Sequence, residues 1–131
     1  IASNIRESPE IPKRLKGKNL IVEEYEMLLI VISKKFLNLL SRKVRGGVQP
    51  YPFAVSIIYL ADRVVSRTIQ KKPILTQHIL ANIADSAEFT IRDHVYRFLG
   101  DLYHKHEAEL MELCQTHMNK KSQNREKYFY N

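Results

Sequence analysis

Residues 76–99, TQHILANIADSAEFTIRDHVYRFL, carry the pattern that decides the fold. Thr76 suits the N-cap of a short helix that runs to Ile83, because its hydroxyl can accept a hydrogen bond from an amide of the first turn. The next residues break the pattern, and a second amphipathic helix is predicted over residues 87–99, closed by Gly100. Two short helices joined by a tight turn are typical of a helix-turn-helix. The second helix of such a unit can enter the major groove of DNA.

Two longer helices are predicted before this stretch. In residues 23–45 the apolar side chains recur three and four positions apart, which predicts a helix with one broad buried face, ended by the glycine pair at 46–47. Residues 53–66 follow Pro52 and are apolar on nearly every side, with small residues where neighbours can cross, so we expect the central helix of a bundle. Residues 101–119 form a further helical stretch. The predicted fold class is therefore all-α.

The 131 residues fit one domain with flanking segments. Residues 1–19 contain two prolines, a glycine and five Lys or Arg, with no periodic apolar pattern after Ile5, and we interpret them as a mobile basic connector. Residues 20–119 are predicted to form the helical domain and residues 120–131 a basic C-terminal tail. The longest apolar run is far shorter than the ~18 residues of a membrane span, so no membrane partner is expected. The single cysteine, Cys114, excludes an internal disulfide and suits a reducing intracellular compartment.

Positive charge is concentrated in the first part of the chain. The formal net charge is +7, and residues 1–72 carry 14 Lys or Arg against 6 acidic residues, whereas residues 73–131 carry 7 against 8. This asymmetry favours a polyanionic partner, because cations that neutralise phosphates release counterions. The alternative is that these residues only keep a small domain soluble. Residues 76–99 hold more acidic than basic side chains, so the positive surface must come from elsewhere. The candidates are Arg45, Arg63, Arg67, Lys71 and Lys72.

Other chemistry is less well supported by the sequence. Metal-ligand residue types occur close together at His104, His106, Glu107, Cys114 and His117, but they lack the paired spacing of zinc sites. A cysteine nucleophile would need an oxyanion hole and an orienting acid, and no pattern marks either. There is no glycine-rich phosphate loop. We therefore expect no cofactor in this chain and no enzymatic activity.

Three segments, in this order, resemble the second cyclin-like repeat of the transcription factor IIB family. Residues 2–5, ASNI, resemble the end of the first helix of that repeat, and residues 52–61, PFAVSIIYLA, resemble its central helix. The family's helix-turn-helix is matched by Thr76-Gln77, Ile83-Ala84, Thr90-Ile91-Arg92 and Tyr96-Arg97. The chain departs from the family at the turn, where Asp85 and Ser86 replace the usual glycine and apolar residue, and the extension after Gly100 has no counterpart. We interpret it as a divergent member, of the kind found in large DNA viruses or distant lineages.

The resemblance implies a cyclin-like five-helix bundle that binds promoter DNA together with TATA-binding protein. It implies recruitment of RNA polymerase, mainly through regions that would precede Ile1, and a nuclear location, or a cytoplasmic viral factory for a viral protein. On the second helix it implies DNA contacts from Thr90 and Arg92, with Phe89 in the base-contacting position, and Arg92 can be bidentate to a guanine edge. The residues alone leave two alternatives open, an ordinary pair of Arg92 with Glu88 and a core position for Phe89.

Other functions also fit these patterns. A cyclin-fold interaction adaptor without DNA contact would need no excess of basic residues and would expose an apolar groove instead. A stand-alone helix-turn-helix repressor would bind a palindrome as a dimer. A Brf-type factor of the RNA polymerase III system shares the same repeat.

Overall fold

The fold is described here from a computed structural model over residues 8–15, 20–40, 50–69, 72–84 and 88–130. Within these ranges only the backbone is described for residues 50, 52, 84, 88, 89, 96, 98 and 121–130. The α-helices of these ranges are α1 (Glu10–Leu15), α2 (Val22–Leu39), α3 (Pro50–Ile69), α4 (Gln77–Ala84), α5 (Glu88–His94) and α6 (Gly100–Tyr130). A π-helical turn, Val95–Leu99, joins α5 to α6. No strand occurs in these ranges, and the predicted all-α class is confirmed.

The helix α3 is the centre of the bundle, as its nearly uniform apolar character predicted. It packs against α2, α4, α5 and α6. Two of its small side chains, Ser56 and Ala61, are buried where neighbouring helices approach, and Ala54 is half-buried. Its large buried apolar side chains are Phe53, Val55, Ile57, Tyr59, Leu60, Val64 and Val65.

The helix α2 buries the apolar stripe that its periodicity predicted. The buried side chains of the stripe are Tyr25, Leu28, Leu29, Ile32 and Phe36. The helix ends at Leu39, before the predicted end at residue 45, because Leu40 adopts extended backbone angles (φ −79°, ψ 141°) and buries its side chain. The predicted last turn, with Arg45 and the glycine pair at 46–47, lies outside the described residues.

Part of the predicted connector is helical. Residues 10–15 form α1, which buries Ile11 and Leu15, four positions apart on one face. The Nη2 atom of Arg14 donates a hydrogen bond to the carbonyl oxygen of Pro73 at 2.7 Å. Sequence periodicity missed this helix because so short a segment owes its helical state to tertiary packing rather than to its own propensity.

The helices α4 and α5 form the predicted pair of short helices. The Oγ1 atom of Thr76 accepts a hydrogen bond from the Ile79 amide at 3.1 Å, so the predicted N-cap is confirmed. The two helices pack against each other and against α3. Ser56 of α3 donates a hydrogen bond to the carbonyl oxygen of Ile91 in α5 at 3.4 Å. Of the predicted turn between the helices, residues 84–86, residue 84 still belongs to α4, and residues 85 and 86 lie outside the described residues.

Gly100 does not close the second helix, contrary to the prediction. Its backbone is right-handed helical (φ −59°, ψ −48°), and its amide bonds to the carbonyl oxygen of Val95, five residues earlier, so the chain continues directly into α6. A Cβ at this position would lie only 3.2 Å from that carbonyl oxygen. Glycine is therefore used here for a close backbone approach at the end of the π turn.

The helix α6 extends through the predicted tail, since its backbone is helical to Tyr130. It packs on α2 and α3 and buries Tyr103, Leu110 and Cys114 in its first half. None of the helices in the described ranges has both the length and the apolar character to cross a membrane.

Candidate functional site

A cleft of about 460 Å³ opens where α3, α4, α5 and the start of α6 meet. It brings together Arg63 of the central helix and Arg92 of α5, two residues that the sequence analysis singled out from different segments. The cleft is lined by Tyr59, Arg63, Gln77, Arg92, Val95, Gly100, Asp101 and His104.

Tyr59 organises the α3 side of the cleft. The guanidinium carbon of Arg63 lies 5.4 Å from the centroid of the Tyr59 ring, a cation–π arrangement that stabilises by about 0.5–1 kcal/mol at an exposed site. The side-chain amide of Gln77 donates a hydrogen bond to the Tyr59 hydroxyl at 3.4 Å. Tyr59 is itself only 9% exposed, so packing and the Gln77 hydrogen bond hold its ring in place where α3 meets α4.

The π turn decides which residues of α6 face the cleft. In an uninterrupted α-helix, the positions sharing a face with Arg92 and Val95 would include Leu99 and Tyr103, by three- and four-residue spacing. The wider turn shifts the register by about one residue. As a result Leu99 and Tyr103 are buried in the core, while Gly100 and His104 line the cleft.

The cleft carries positive charge. It holds two guanidinium groups against the single carboxylate of Asp101, with the imidazole of His104 beside them. Within the described residues, the ion pairs involve neither Arg63 nor Arg92. Arg63 is half-buried and Arg92 is exposed, and both line the cleft.

The other predicted contact residues lie in different surroundings. Arg67 pairs with Glu107 of α6, and this hydrogen bond raises the pKa of the guanidinium. Lys72 is exposed, in the segment before α4. Thr90 is half-buried, and its carbonyl oxygen lies 2.9 Å from Nδ1 of His94. Lys71, Arg45 and the side chain of Phe89 lie outside the described residues, as does the side chain of Glu88.

The acidic part of α6 pairs with basic residues of the first half of the chain, which the sequence analysis did not foresee. Besides the Arg67 pair, Nζ of Lys35 lies 3.2 Å from Oε1 of Glu109. Within α6 itself, Nδ1 of His106 lies 3.1 Å from Oε2 of Glu109. The hydrogen bonds from His106 and Lys35 lower the pKa of Glu109. The positive charges of Arg67 and Lys35 were part of the excess that favoured a polyanionic partner. Carboxylates of α6 neutralise both of them within the molecule.

A buried polar cluster lies on the central helix α3. The Asp62 carboxyl is fully buried on α3, and its Oδ1 accepts hydrogen bonds from the Tyr25 hydroxyl at 2.6 Å and the Ser66 hydroxyl at 3.1 Å. The Ser66 oxygen accepts a hydrogen bond from the Ile74 amide at 3.1 Å. The cluster thus connects α2, α3 and the segment that leads into α4.

Burial controls the acidity of this cluster. It raises the pKa of Asp62 to about 6, against the opposing effect of hydrogen bonds from Tyr25, the Leu75 amide and Ser66. Burial, followed by the nearby Asp62 charge, raises the pKa of Tyr25 well above its ordinary value. The sequence signal for the cluster was the single acidic residue, Asp62, of the central helix.

The predicted metal-ligand residue types do not assemble. In the described part of the chain, no three His, Cys, Asp or Glu side chains are placed to hold a metal ion. His104 faces the cleft, whereas Cys114 is buried in the core, where burial raises the pKa of its thiol.

Protein-family models, curated proteins and solved structures were compared with the chain. None of them matches. The resemblance to the transcription factor IIB family therefore remains a prediction from the sequence motifs.

Proposed function

We propose that this chain is a DNA-binding helical domain of the transcription factor IIB type. It binds promoter DNA and TATA-binding protein, helps to recruit RNA polymerase, and takes base contacts from the α4–α5 helix pair. The observation that carries the proposal is the convergence of Arg63 and Arg92 on one cleft beside that pair.

The convergence supports DNA binding for an electrostatic reason. The α4–α5 segment is close to neutral, so it needs cations from another element to bind a phosphate backbone. Arg63 supplies one from α3, and guanidinium groups match phosphate oxygens through paired N–H donors. Arg67 and Lys35 contribute less, because Glu107 and Glu109 neutralise them.

The test is the affinity of the purified chain for promoter duplexes at two salt concentrations, with and without TATA-binding protein. Arg63→Gln and Arg92→Gln should each lower the affinity, and each should reduce the slope of log affinity against log salt by about 1. Arg97→Gln is the matched control, because Arg97 lies on the same helical segment but pairs with Asp93 at 3.0 Å and does not line the cleft.

Two outcomes would change the proposal. An affinity that is indifferent to salt, or equally reduced by Arg97→Gln, would contradict DNA binding through the cleft. A salt-sensitive affinity that TATA-binding protein does not alter would favour a stand-alone regulator.

A second candidate, the interaction adaptor, is favoured by exposed apolar side chains at α2. Met27 and Ile30, one turn apart on α2, are 38% and 37% exposed, and Ile21 just before the helix is 55% exposed. Binding of TATA-binding protein without DNA, compared between the natural chain and Ile30→Gln, tests it. An adaptor should lose this binding in the variant and should show no salt-dependent DNA affinity.

A further inference from the structure

We infer that the cleft binds one phosphate group, held between Arg63 and Arg92, and that Arg92 is a phosphate ligand rather than a reader of a guanine edge. The inference rests on the proposed function for the source of the phosphate, a DNA backbone diester. The same chemistry would accept a free phosphate monoester, and the experiment below separates the two sources.

The charge pattern of the cleft favours an anion. Two guanidinium groups from separate helices line one cleft, and no ion pair neutralises either of them among the described residues. An anion bound in the cleft is attracted to both cations. Each guanidinium can donate two parallel hydrogen bonds to phosphate oxygens, which favours a phosphate over a monatomic anion.

Neighbouring side chains hold Arg63 in position before a ligand binds. A long side chain loses rotamer entropy when it binds a ligand, and a preformed position reduces that loss. The Tyr59 ring lies under the guanidinium, and the Gln77 amide holds the Tyr59 hydroxyl. Tyr59 is thus a positioning residue that acts on the ligand through Arg63.

Arg92 lines the cleft beside Gly100 and His104, which the π turn places there, and so its guanidinium can bind a ligand held in the cleft. A guanidinium that binds a phosphate positions the protein on the DNA and does not read the base sequence. Gly100 presents no side chain, so a ligand can approach the helix backbone, and His104 adds a polar group to the same wall.

The cleft also contains a residue that opposes an anion. Asp101 lines it and has the same sign of charge as phosphate. Its carboxylate should weaken binding, and its removal should strengthen it. The volume of about 460 Å³ falls in the range of small-molecule sites and accommodates a phosphate with part of its ester group.

The experiment is a titration of the ¹⁵N-labelled full chain, followed through the amide signals of Gln77, Gly100 and His104. The probes are inorganic phosphate, adenosine 5′-monophosphate and a short DNA duplex, with sodium chloride at equal ionic strength as the reference. The expected result is a saturable shift of these amides that chloride does not produce.

The variants test each role. Arg63→Gln and Arg92→Gln should each weaken the binding at least about fivefold, and Asp101→Asn should tighten it about threefold. Arg97→Gln should leave it unchanged. Tyr59→Leu should weaken it through Arg63, whereas Tyr59→Phe, which keeps the ring, should restore most of the affinity.

The outcomes distinguish this inference from the proposed function. If no probe shifts the cleft amides, or if neither arginine variant weakens binding, the phosphate site is refuted, and DNA binding through other residues can still be measured. If the two small probes bind and the duplex does not, the site is confirmed for free monoesters and the proposed function is refuted. On two duplexes of different sequence, Arg92→Gln should reduce affinity equally, and a loss confined to one sequence would contradict the phosphate role.

Discussion

Replacement of Asp62 by Asn should change how the stability of the fold depends on pH. The carboxyl is fully buried and its pKa is raised to about 6, chiefly by burial. The same group in the unfolded chain has its ordinary pKa of 3.8. The folded chain therefore holds this proton more tightly than the unfolded chain.

The sign of the effect follows from proton linkage. Between the two pKa values the unfolded chain binds fewer protons than the folded chain, so the free energy of unfolding falls as the pH rises. The contribution is complete below pH 3.8 and is lost as the pH rises through about 6. The shift corresponds to about 3 kcal/mol in total, and most of it falls between pH 4 and pH 7.

Urea unfolding of the natural chain and of Asp62→Asn, at intervals from pH 4 to pH 7, measures this effect. Asparagine keeps an oxygen for the Tyr25 and Ser66 hydroxyls but does not titrate, so the difference in unfolding free energy isolates the carboxyl. Asp93→Asn is the control, because Asp93 is a partly exposed carboxylate paired with Arg97. The unfolding free energy of the natural chain minus that of Asp62→Asn should fall by about 2–3 kcal/mol from pH 4 to pH 7. A difference that does not vary with pH would refute the reasoning.

Three further predictions concern local contacts. Thr76→Ala should lower the free energy of unfolding by about 1 kcal/mol, because the Ile79 amide loses its acceptor, while Thr76→Ser should have a smaller effect in the same urea assay. Glu107→Gln should raise affinity for duplex DNA by about threefold at low salt, because it removes the partner of Arg67. Glu112→Gln on the same helix should not raise the affinity. Equal effects of the two variants would indicate a general effect of net charge and contradict the prediction. Cys114 should react with a thiol reagent only as fast as the fold opens, because the thiol is buried and its pKa is raised; a rate matching that of the urea-unfolded chain would contradict this.

The main helices could be predicted because their information is local. The uniformly apolar stretch after Pro52 and the stripe that begins at Tyr25 are repeats of three and four residues, and burial follows directly from such spacing. The cap at Thr76 is equally local. These features needed no knowledge of which helix would pack against which.

The features that the sequence analysis missed depend on distant partners or on ambiguous residues. Asp62 lies at the centre of a buried hydrogen-bond cluster, and its partner Tyr25 comes from another helix. Glycine commonly ends a helix, so Gly100 was expected to close the second helix. Only the π turn before it shows that the helical backbone continues into α6. Arg67 and Lys35 pair with Glu107 and Glu109 because of the way α6 packs on the other helices. A charge count along the chain carries no information on that packing.

The candidate cleft depends both on residues that the sequence identifies and on contacts that only the fold creates. Arg63 and Arg92 could be named from the sequence, but their convergence required the fold. Tyr59, Gln77, Asp101 and His104 were not assigned to any site, because nothing in their spacing links α3 to the start of α6.

The decisive measurement is the salt dependence of promoter-duplex affinity for the double variant Arg63→Gln with Arg92→Gln. We expect the slope of log affinity against log salt to fall by about 2 relative to the natural chain, one for each lost phosphate contact. We also expect circular dichroism to show the same helical content in the variant. An unchanged slope in a folded double variant would contradict the claim that this cleft binds the DNA backbone.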